Sequence, residues 1–219
     1  MSNLPLLTIL LVLPLVGALI VAFLPSAESA KRVALGFSLV TLLVGLAAAS
    51  QFRLNSGEQF QLVEQHAWIP QFGVSYALGI DGISLTLILL ALILTPVCIL
   101  AAWNDLENEV IPTEGRGSRR PQTYFALMLA LVTFMVGVFA AIDVFLFYVF
   151  FEAMLVPVYF LIGSFGVGPR RGYAAVKFLL FGLIGGLIML VAVIGVYFVG
   201  PGGPDGFLVS NLTGLSIDP

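Results

Sequence analysis

Two ionisable side chains lie inside long apolar stretches, and both are of types that bind and release protons. Glu152 is near the middle of FYVFFEAMLVPVYFLIG, residues 147–163, and Lys177 is the fifth residue of the apolar stretch 173–199. A charge at the centre of a bilayer costs about 2.5–3.5 kcal/mol, so it usually faces a bundle interior, water or a partner. Glu152 is short and central, which favours a functional role over a side chain that reaches the headgroups. Lys177 lies near a helix end, and its four-carbon stem is long enough to reach the headgroups. A functional role and an interaction with headgroups therefore fit its position equally well.

The spacing of these two groups limits how they interact. On two antiparallel helices their axial separation is roughly 14 Å, which exceeds the combined reach of both side chains. Water or charged residues on other helices would have to couple them. Pro157, five residues after Glu152, lacks an N–H and clashes with the carbonyl of Ala153, which predicts a helix kink beside the acid. An inert kink and a hydration site both fit this pattern.

Composition determines the solvent that these groups meet. Of 219 residues, 60% are hydrophobic and 10% are charged, whereas soluble domains carry about 25% charged residues. The chain is therefore predicted to be an integral membrane protein. Its net charge of −3 gives no indication of nucleic-acid binding, and its single cysteine excludes an intrachain disulfide. His66 is the only histidine, with no second ligand at metal-binding spacing, so no metal site is predicted.

Six segments are apolar over roughly 20 residues, enough to cross about 30 Å of hydrocarbon at 1.5 Å per residue. They cover residues 4–24, 33–49, 83–103, 123–141, 144–165 and 173–199. Helix is predicted for all six, because lipid cannot satisfy open backbone groups and none alternates as a barrel strand does. The prediction is an all-α polytopic membrane protein whose residues 1–219 form one transmembrane domain.

The basic residues predict the orientation of this domain. Seven of the nine lie in connections 25–32, 104–122 and 166–172, which the positive-inside rule places in the cytoplasm. The N-terminus and the connection 52–82 are then outside, and Lys177 is the one basic residue inside a span.

Few other patterns point to chemistry. Asp81, followed by Gly82 and Ser84, predicts a turn that caps the third helix. The glycines of GLIGG, residues 182–186, have a spacing that indicates close helix packing rather than a cofactor site. No glycine-rich phosphate loop, nucleophile elbow or paired-histidine motif is present in the sequence, so no nucleotide binding or covalent chemistry is predicted.

Three motifs carry a resemblance to a known family. FFEAMLVPVYFLIG, LGIDGISLTLILLALILTPVCILAAW (78–103) and YAAVKFLLF (173–181) resemble the antiporter-like subunits of proton-translocating NADH:quinone oxidoreductase, complex I, most closely those of the M (chain 4) type. The resemblance implies that Glu152 is the channel glutamate. It also implies that Lys177 is the buried sixth-helix lysine of a central charged axis, and that the chain couples quinone reduction to proton pumping.

The same resemblance implies features beyond these residues. Members of the family have about twice this length, with fourteen helices and two inverted five-helix repeats, so the chain is expected to be the N-terminal portion of such a subunit. NADH, FMN, iron–sulfur clusters and quinone are expected in other subunits, with no NADH-binding or redox site here. The expected partners are L-type, N-type and small membrane subunits and lipid, in a bacterial-type plasma membrane.

Two other classes of function remain open on the residues alone. The first is a subunit of a related cation/proton antiporter or membrane-bound hydrogenase, with the same fold and the same glutamate. The second is a membrane scaffold that transports nothing, in which Glu152 only forms hydrogen bonds between helices. These classes differ in whether the complex oxidises NADH and in whether glutamine can replace Glu152.

Overall fold

Long apolar helices account for most of the chain, as expected where the backbone must satisfy its own hydrogen bonds in lipid. The computed structural model describes residues 4–54, 57–104, 120–200, 202–203 and 205–213. Within these residues the long helices are α1 (Leu6–Phe23), α2 (Ala27–Gln51), α3 (Gly82–Ala101), α4 (Pro121–Ala140), α5 (Val144–Phe160) and α6 (Arg171–Val199). A π-helical turn, Leu161–Phe165, extends α5, and a short helix α7 covers Val209–Leu212. All six long segments, with the π turn counted in α5, are long and apolar enough to cross a bilayer, which confirms the predicted all-α membrane fold.

The helices α1 to α4 form the most tightly packed part of the molecule. Helix α1 packs on α2 and α4, and α3 packs on the same two helices. Their buried side chains form two clusters, one around Leu10 and Leu92 and the other around Val21 and Phe125. Helix α5 then packs between α4 and α6. The helix that carries Glu152 therefore lies at the edge of the four-helix core.

Helix α2 begins earlier than the sequence analysis placed it. The predicted span 33–49 lies inside α2, which starts at Ala27, so Lys31 and Arg32 are helical rather than part of a connection. Ser26 caps this helix by accepting a hydrogen bond from the N–H of Ser29 at 3.1 Å, and Arg32 pairs with Glu28 at 2.8 Å. The length of the apolar run underestimated the length of α2. Capping and i,i+4 pairing allow the helix to extend beyond its apolar residues.

The connection between α2 and α3 contains a β-hairpin that the sequence analysis did not predict. Strands β1 (Gln61–Ile69) and β2 (Val74–Ile80) pair antiparallel and are joined by a 3₁₀ turn. The predicted cap of the third helix follows directly and is confirmed. Asp81 and Ser84 form a capping box, in which the Ser84 N–H donates to the Asp81 carboxylate at 2.7 Å and the Asp81 N–H donates to the Ser84 hydroxyl at 2.9 Å.

The hairpin holds the start of α1 through a carboxylate. Glu64 on β1 accepts hydrogen bonds from the N–H groups of Leu7 and Thr8, at 2.7 and 3.0 Å, and from the Thr8 hydroxyl at 2.6 Å. These are donors that the first turn of a helix leaves without intrahelical partners. Glu64 thus caps the first turn of α1 through Leu7, which lies 57 residues earlier in the chain. The hairpin and the start of α1 therefore lie at the same end of the bundle.

Contacts at the opposite end join the α1–α2 connection to the start of α4. The Gln122 side-chain amide donates to the carbonyl of Pro25 at 3.4 Å. A surface cavity of about 580 Å³ lies between residues 22–27 and 120–122. The charged connection 104–122 was predicted to be a solvated loop, but its residues 105–119 lie outside the described part of the chain.

Candidate functional site

Glu152 lies in the interior of α5, between the neighbouring helices α4 and α6. Its side chain is half-buried. Among the described residues, its Oε1 atom is fully enclosed and has no hydrogen-bond partner. A buried polar atom without a partner costs about 1–3 kcal/mol, and such groups concentrate at strained or functional positions. Glu152 therefore remains a candidate functional group.

The residue that faces the Glu152 carboxyl group is Gly186 of α6. A Cβ atom built on Gly186 would overlap with Glu152 Oε1. One helical turn away, a Cβ on Gly182 would lie 2.9 Å from Leu155 Cδ1. These two contacts confirm that Gly182 and Gly186 of GLIGG allow close packing of α6 on α5. In this packing Gly186 is buried and Gly185 is exposed.

Lys177 lies on the same helix as Gly186 but on its exposed face. Its Nζ atom is 5.9 Å from the centroid of the Phe181 ring, which is within cation–π range. It lies nine positions before Gly186, an axial distance of about 14 Å, so the structure agrees with the separation expected from the sequence. The description of Lys177 as buried is wrong for this structure. In α6 the buried residues are Ala175, Gly186 and Val193, because α6 packs on one side against α5 and its π turn.

Helix α5 changes its geometry on the C-terminal side of Glu152. Pro157 is buried within the α-helical part, and the π-helical turn Leu161–Phe165 begins four residues later. Pro157 has no N–H to donate to the carbonyl of Ala153, which is one turn before it. π-Helical turns are frequent at functional sites. The kink expected at Pro157 stays a prediction, and the helix widens at the π turn.

The start of α5 is held by a second carboxylate, Asp143, which the sequence analysis did not single out. Asp143 is fully buried. It accepts hydrogen bonds from the N–H of Leu146 at 2.9 Å and from the N–H of Ser75 on β2 at 3.0 Å. Burial raises the pKa of the Asp143 carboxyl group above its ordinary value, and these two N–H donors oppose that shift. The signal in the sequence was an acid directly before an apolar run, which is an N-cap pattern.

Hydrogen bonds on both sides of Asp143 join the α4–α5 connection to its neighbours. The N–H of Ile142 donates to the carbonyl of Ala77 on β2 at 3.0 Å, and the N–H of Val144 donates to the carbonyl of Phe207 at 2.9 Å. Ser75 also donates through its hydroxyl group to Asp205 at 3.3 Å. The hairpin and the segment that follows α6 thus support the N-terminal end of the helix that carries Glu152.

Another ionisable residue, Lys31, is buried where the sequence analysis expected a cytoplasmic loop. Its side chain is 1% exposed. Its Nζ lies 5.8 Å from the centroid of the Trp103 ring, just beyond the end of α3. Trp103 in turn packs against the apolar cluster around Val21 and Phe125. The helix-capping pattern of Ser26, with an acid in the first turn, is the signal that would have placed Lys31 in α2.

Comparison with known sequences identifies similar proteins. Residues 141–201, which include α5 and α6, match the family described as "NADH:quinone oxidoreductase/Mrp antiporter, TM". The chain is 45% identical over 219 aligned residues to NADH-quinone oxidoreductase subunit M of Mycobacterium tuberculosis. That alignment covers 91% of this chain and 39% of the relative. The chain thus spans less than half of the length of this relative.

Two solved structures are similar in fold. A chain of respiratory complex I from Thermus thermophilus with bound NADH superimposes with a TM-score of 0.77 at 25% identity, over 97% of this chain and 40% of that chain. A chain of the Mrp complex from Dietzia sp. DQ12-45-1b gives a TM-score of 0.68 at 23% identity, over 88% of this chain and 19% of that chain. The second likeness concerns the fold alone. Together these matches confirm the resemblance found in the three sequence motifs.

Proposed function

Because the chain belongs to the family of antiporter-like transmembrane subunits shared by NADH:quinone oxidoreductases and Mrp antiporters, we propose that it is a proton-translocating membrane subunit of NADH:quinone oxidoreductase. The observation that carries this proposal is the carboxyl group of Glu152, which lies within a spanning helix with one oxygen enclosed and unpartnered among the described residues. In the proposed mechanism, Glu152 binds a proton from one side of the membrane and releases it toward the other.

Lys177 supplies the charge that biases this proton transfer in the proposed mechanism. At about 14 Å and an effective dielectric constant of 20, two unit charges interact by about 1 kcal/mol. That energy changes the proton affinity of a carboxyl group by about fivefold. Water, or charges on helices outside this chain, would connect the two groups, because the side chains do not reach each other.

The proposal assigns the remaining parts of the reaction to other subunits. NADH, FMN, iron–sulfur clusters and quinone would be bound there, and this chain would contribute no redox site. Its partners would be L-type, N-type and small membrane subunits in a bacterial-type plasma membrane.

The alternative, which the family description also names, is a cation/proton antiporter without NADH oxidation. The distinguishing experiment is to purify the native complex that contains this chain and reconstitute it into sealed vesicles. The proposal predicts quinone reduction driven by NADH together with proton uptake. A complex that exchanges cations for protons and does not oxidise NADH would replace the proposal with the antiporter function.

The proposed orientation predicts which loops can be labelled from each side. Single cysteines introduced at 116–120 in a Cys98→Ser background should react only from the cytoplasm, and those at 58–66 only from outside. The positions of Glu64 beside α1 and of Gln122 beside Pro25, at opposite ends of the bundle, support this assignment. Reaction of both loops from the same side would refute it.

Replacing Lys177 separates a role in proton transfer from an interaction with headgroups. We expect Lys177→Met to assemble normally and to lower proton uptake about fivefold, the factor estimated from its charge. Lys177→Arg is the control, because it keeps the charge and should retain most of the uptake. Normal proton uptake by an assembled Lys177→Met complex would show that this side chain only reaches the headgroups.

A further inference from the structure

We propose that Gly186 is a positioning residue for Glu152, because the absence of a side chain at 186 leaves a notch in α6 that the carboxyl group occupies. A Cβ atom at this position would overlap with Glu152 Oε1 and would lie 2.5 Å from its carboxyl carbon. The consequence for proton transfer rests on the function proposed above. The placement of the carboxyl group is a separate claim, which can be tested without transport.

The three glycines of this region differ in what they face, although they lie within one helical turn. Gly182 faces the flexible end of Leu155, and a Cβ on Gly185 would meet nothing within 4 Å. Gly186 alone among the three faces a polar group. An interface that needed only small residues would place similar apolar contacts at both Gly182 and Gly186. The contact at Gly186 therefore places the carboxyl group of Glu152, in addition to bringing the two helices together.

The notch determines the direction of the carboxyl group without a hydrogen bond. Glu152 Oε1 has no partner among the described residues, so packing against the α6 backbone is what holds it there. Because Oε1 accepts no hydrogen bond from the described residues, no protein donor there competes with a transferred proton. Restricting the carboxyl group to one place also lowers the entropy cost of each proton transfer. Displacing a reacting group by about 1 Å can lower the rate by about 10²-fold.

The test compares Gly186→Ala with Gly185→Ala in the assembled complex, using the full-length protein. Both changes add one methyl group and remove the same backbone freedom, but the added methyl group meets the carboxyl group only at 186. We expect Gly186→Ala to lower proton uptake by about 10- to 100-fold. Gly185→Ala should leave uptake unchanged. Equal uptake by the two variants would overturn the positioning role.

A shorter acid provides the second arm of the test. Aspartate at 152 withdraws the carboxyl group by one methylene, which makes room for a Cβ at 186. We expect Gly186→Ala to lower uptake much less in the Glu152→Asp background than in the wild-type background. Should Gly186→Ala alone fail to assemble, Glu152→Asp/Gly186→Ala should assemble as well as Glu152→Asp/Gly185→Ala. A double variant that fails to assemble would overturn the proposal.

Infrared spectroscopy tests the placement independently of transport. The carboxyl stretching band that disappears in Glu152→Gln identifies the side chain. This band should shift in Gly186→Ala and stay in place in Gly185→Ala. If Glu152→Gln pumps normally, the proposed function fails. The infrared band then still shows whether Gly186 determines the position of the carboxyl group. If Glu152→Gln is inactive and the band is the same in both alanine variants, only the positioning role fails.

Discussion

Replacing Glu152 with glutamine is expected to abolish proton uptake into sealed vesicles while the complex still assembles. Glutamine has nearly the same volume, so the contact with Gly186 and the packing of α5 on α6 should persist. The glutamine amide neither gains nor loses a proton near neutral pH. A proton relay loses its titrating group and stops. In a coupled complex, quinone reduction should slow with it.

The alternative scaffold role predicts the opposite result for the same variant. A hydrogen-bonding scaffold should work as well with glutamine, because the amide donates and accepts. In this structure Glu152 Oε1 has no hydrogen-bond partner among the described residues, which weakens the scaffold interpretation. Wild-type proton uptake by Glu152→Gln, at matched assembly levels, would eliminate the proton relay.

Two controls show whether the position or only the presence of the acid matters. Glu152→Asp keeps a titrating group and should retain part of the activity. Moving the acid by one turn, as in Glu152→Gln with Tyr148→Glu or with Val156→Glu, tests the same helix face, because residues i and i+4 share a face. We expect more rescue from position 148, since Val156 is 52% exposed. No recovery at either position would show that the acid has to lie at position 152 itself.

The Asp143→Ala variant is expected to give the largest loss of stability. Its side chain is fully buried and satisfies two backbone N–H groups, one in the first turn of α5 and one on β2. Loss of an N-cap costs about 1 kcal/mol. Leaving the buried N–H of Ser75 without an acceptor adds about 1–3 kcal/mol. We therefore expect the free energy of unfolding to fall by about 2–4 kcal/mol, measured by denaturation of the purified protein in detergent.

Asp143→Ser is the matched control for this prediction. A serine hydroxyl can cap the N–H of Leu146 but is too short to serve Ser75 as well. It should recover the cap contribution, about 1 kcal/mol, and leave the loss caused by the Ser75 N–H. A free energy of unfolding for Asp143→Ala within about 0.5 kcal/mol of the wild-type value would contradict this prediction. It would show that water satisfies these two N–H donors as well as the carboxylate does.

The apolar residues of the chain determined its class and its six spans. A membrane helix needs only a run of apolar residues of sufficient length, and this requirement is local in the sequence. The predicted spans therefore lie within two residues of most observed helix ends. The exception is the start of α2, where the polar segment beginning at Ala27 is also helical. The Asp81 cap was predictable for the same reason, because donor and acceptor are three residues apart.

The sequence also singled out Glu152 as a candidate, because an acid within an apolar run is costly to place in lipid. What Glu152 faces was decided only by the tertiary structure. The contact with Gly186 depends on how two helices cross, just as the bonds from Glu64 to α1 and from Asp143 to Ser75 depend on long-range packing. Residue type and local spacing determine whether each segment prefers lipid or water. The partner of each buried polar group is determined by side-chain packing between segments far apart in the chain, which local patterns do not encode.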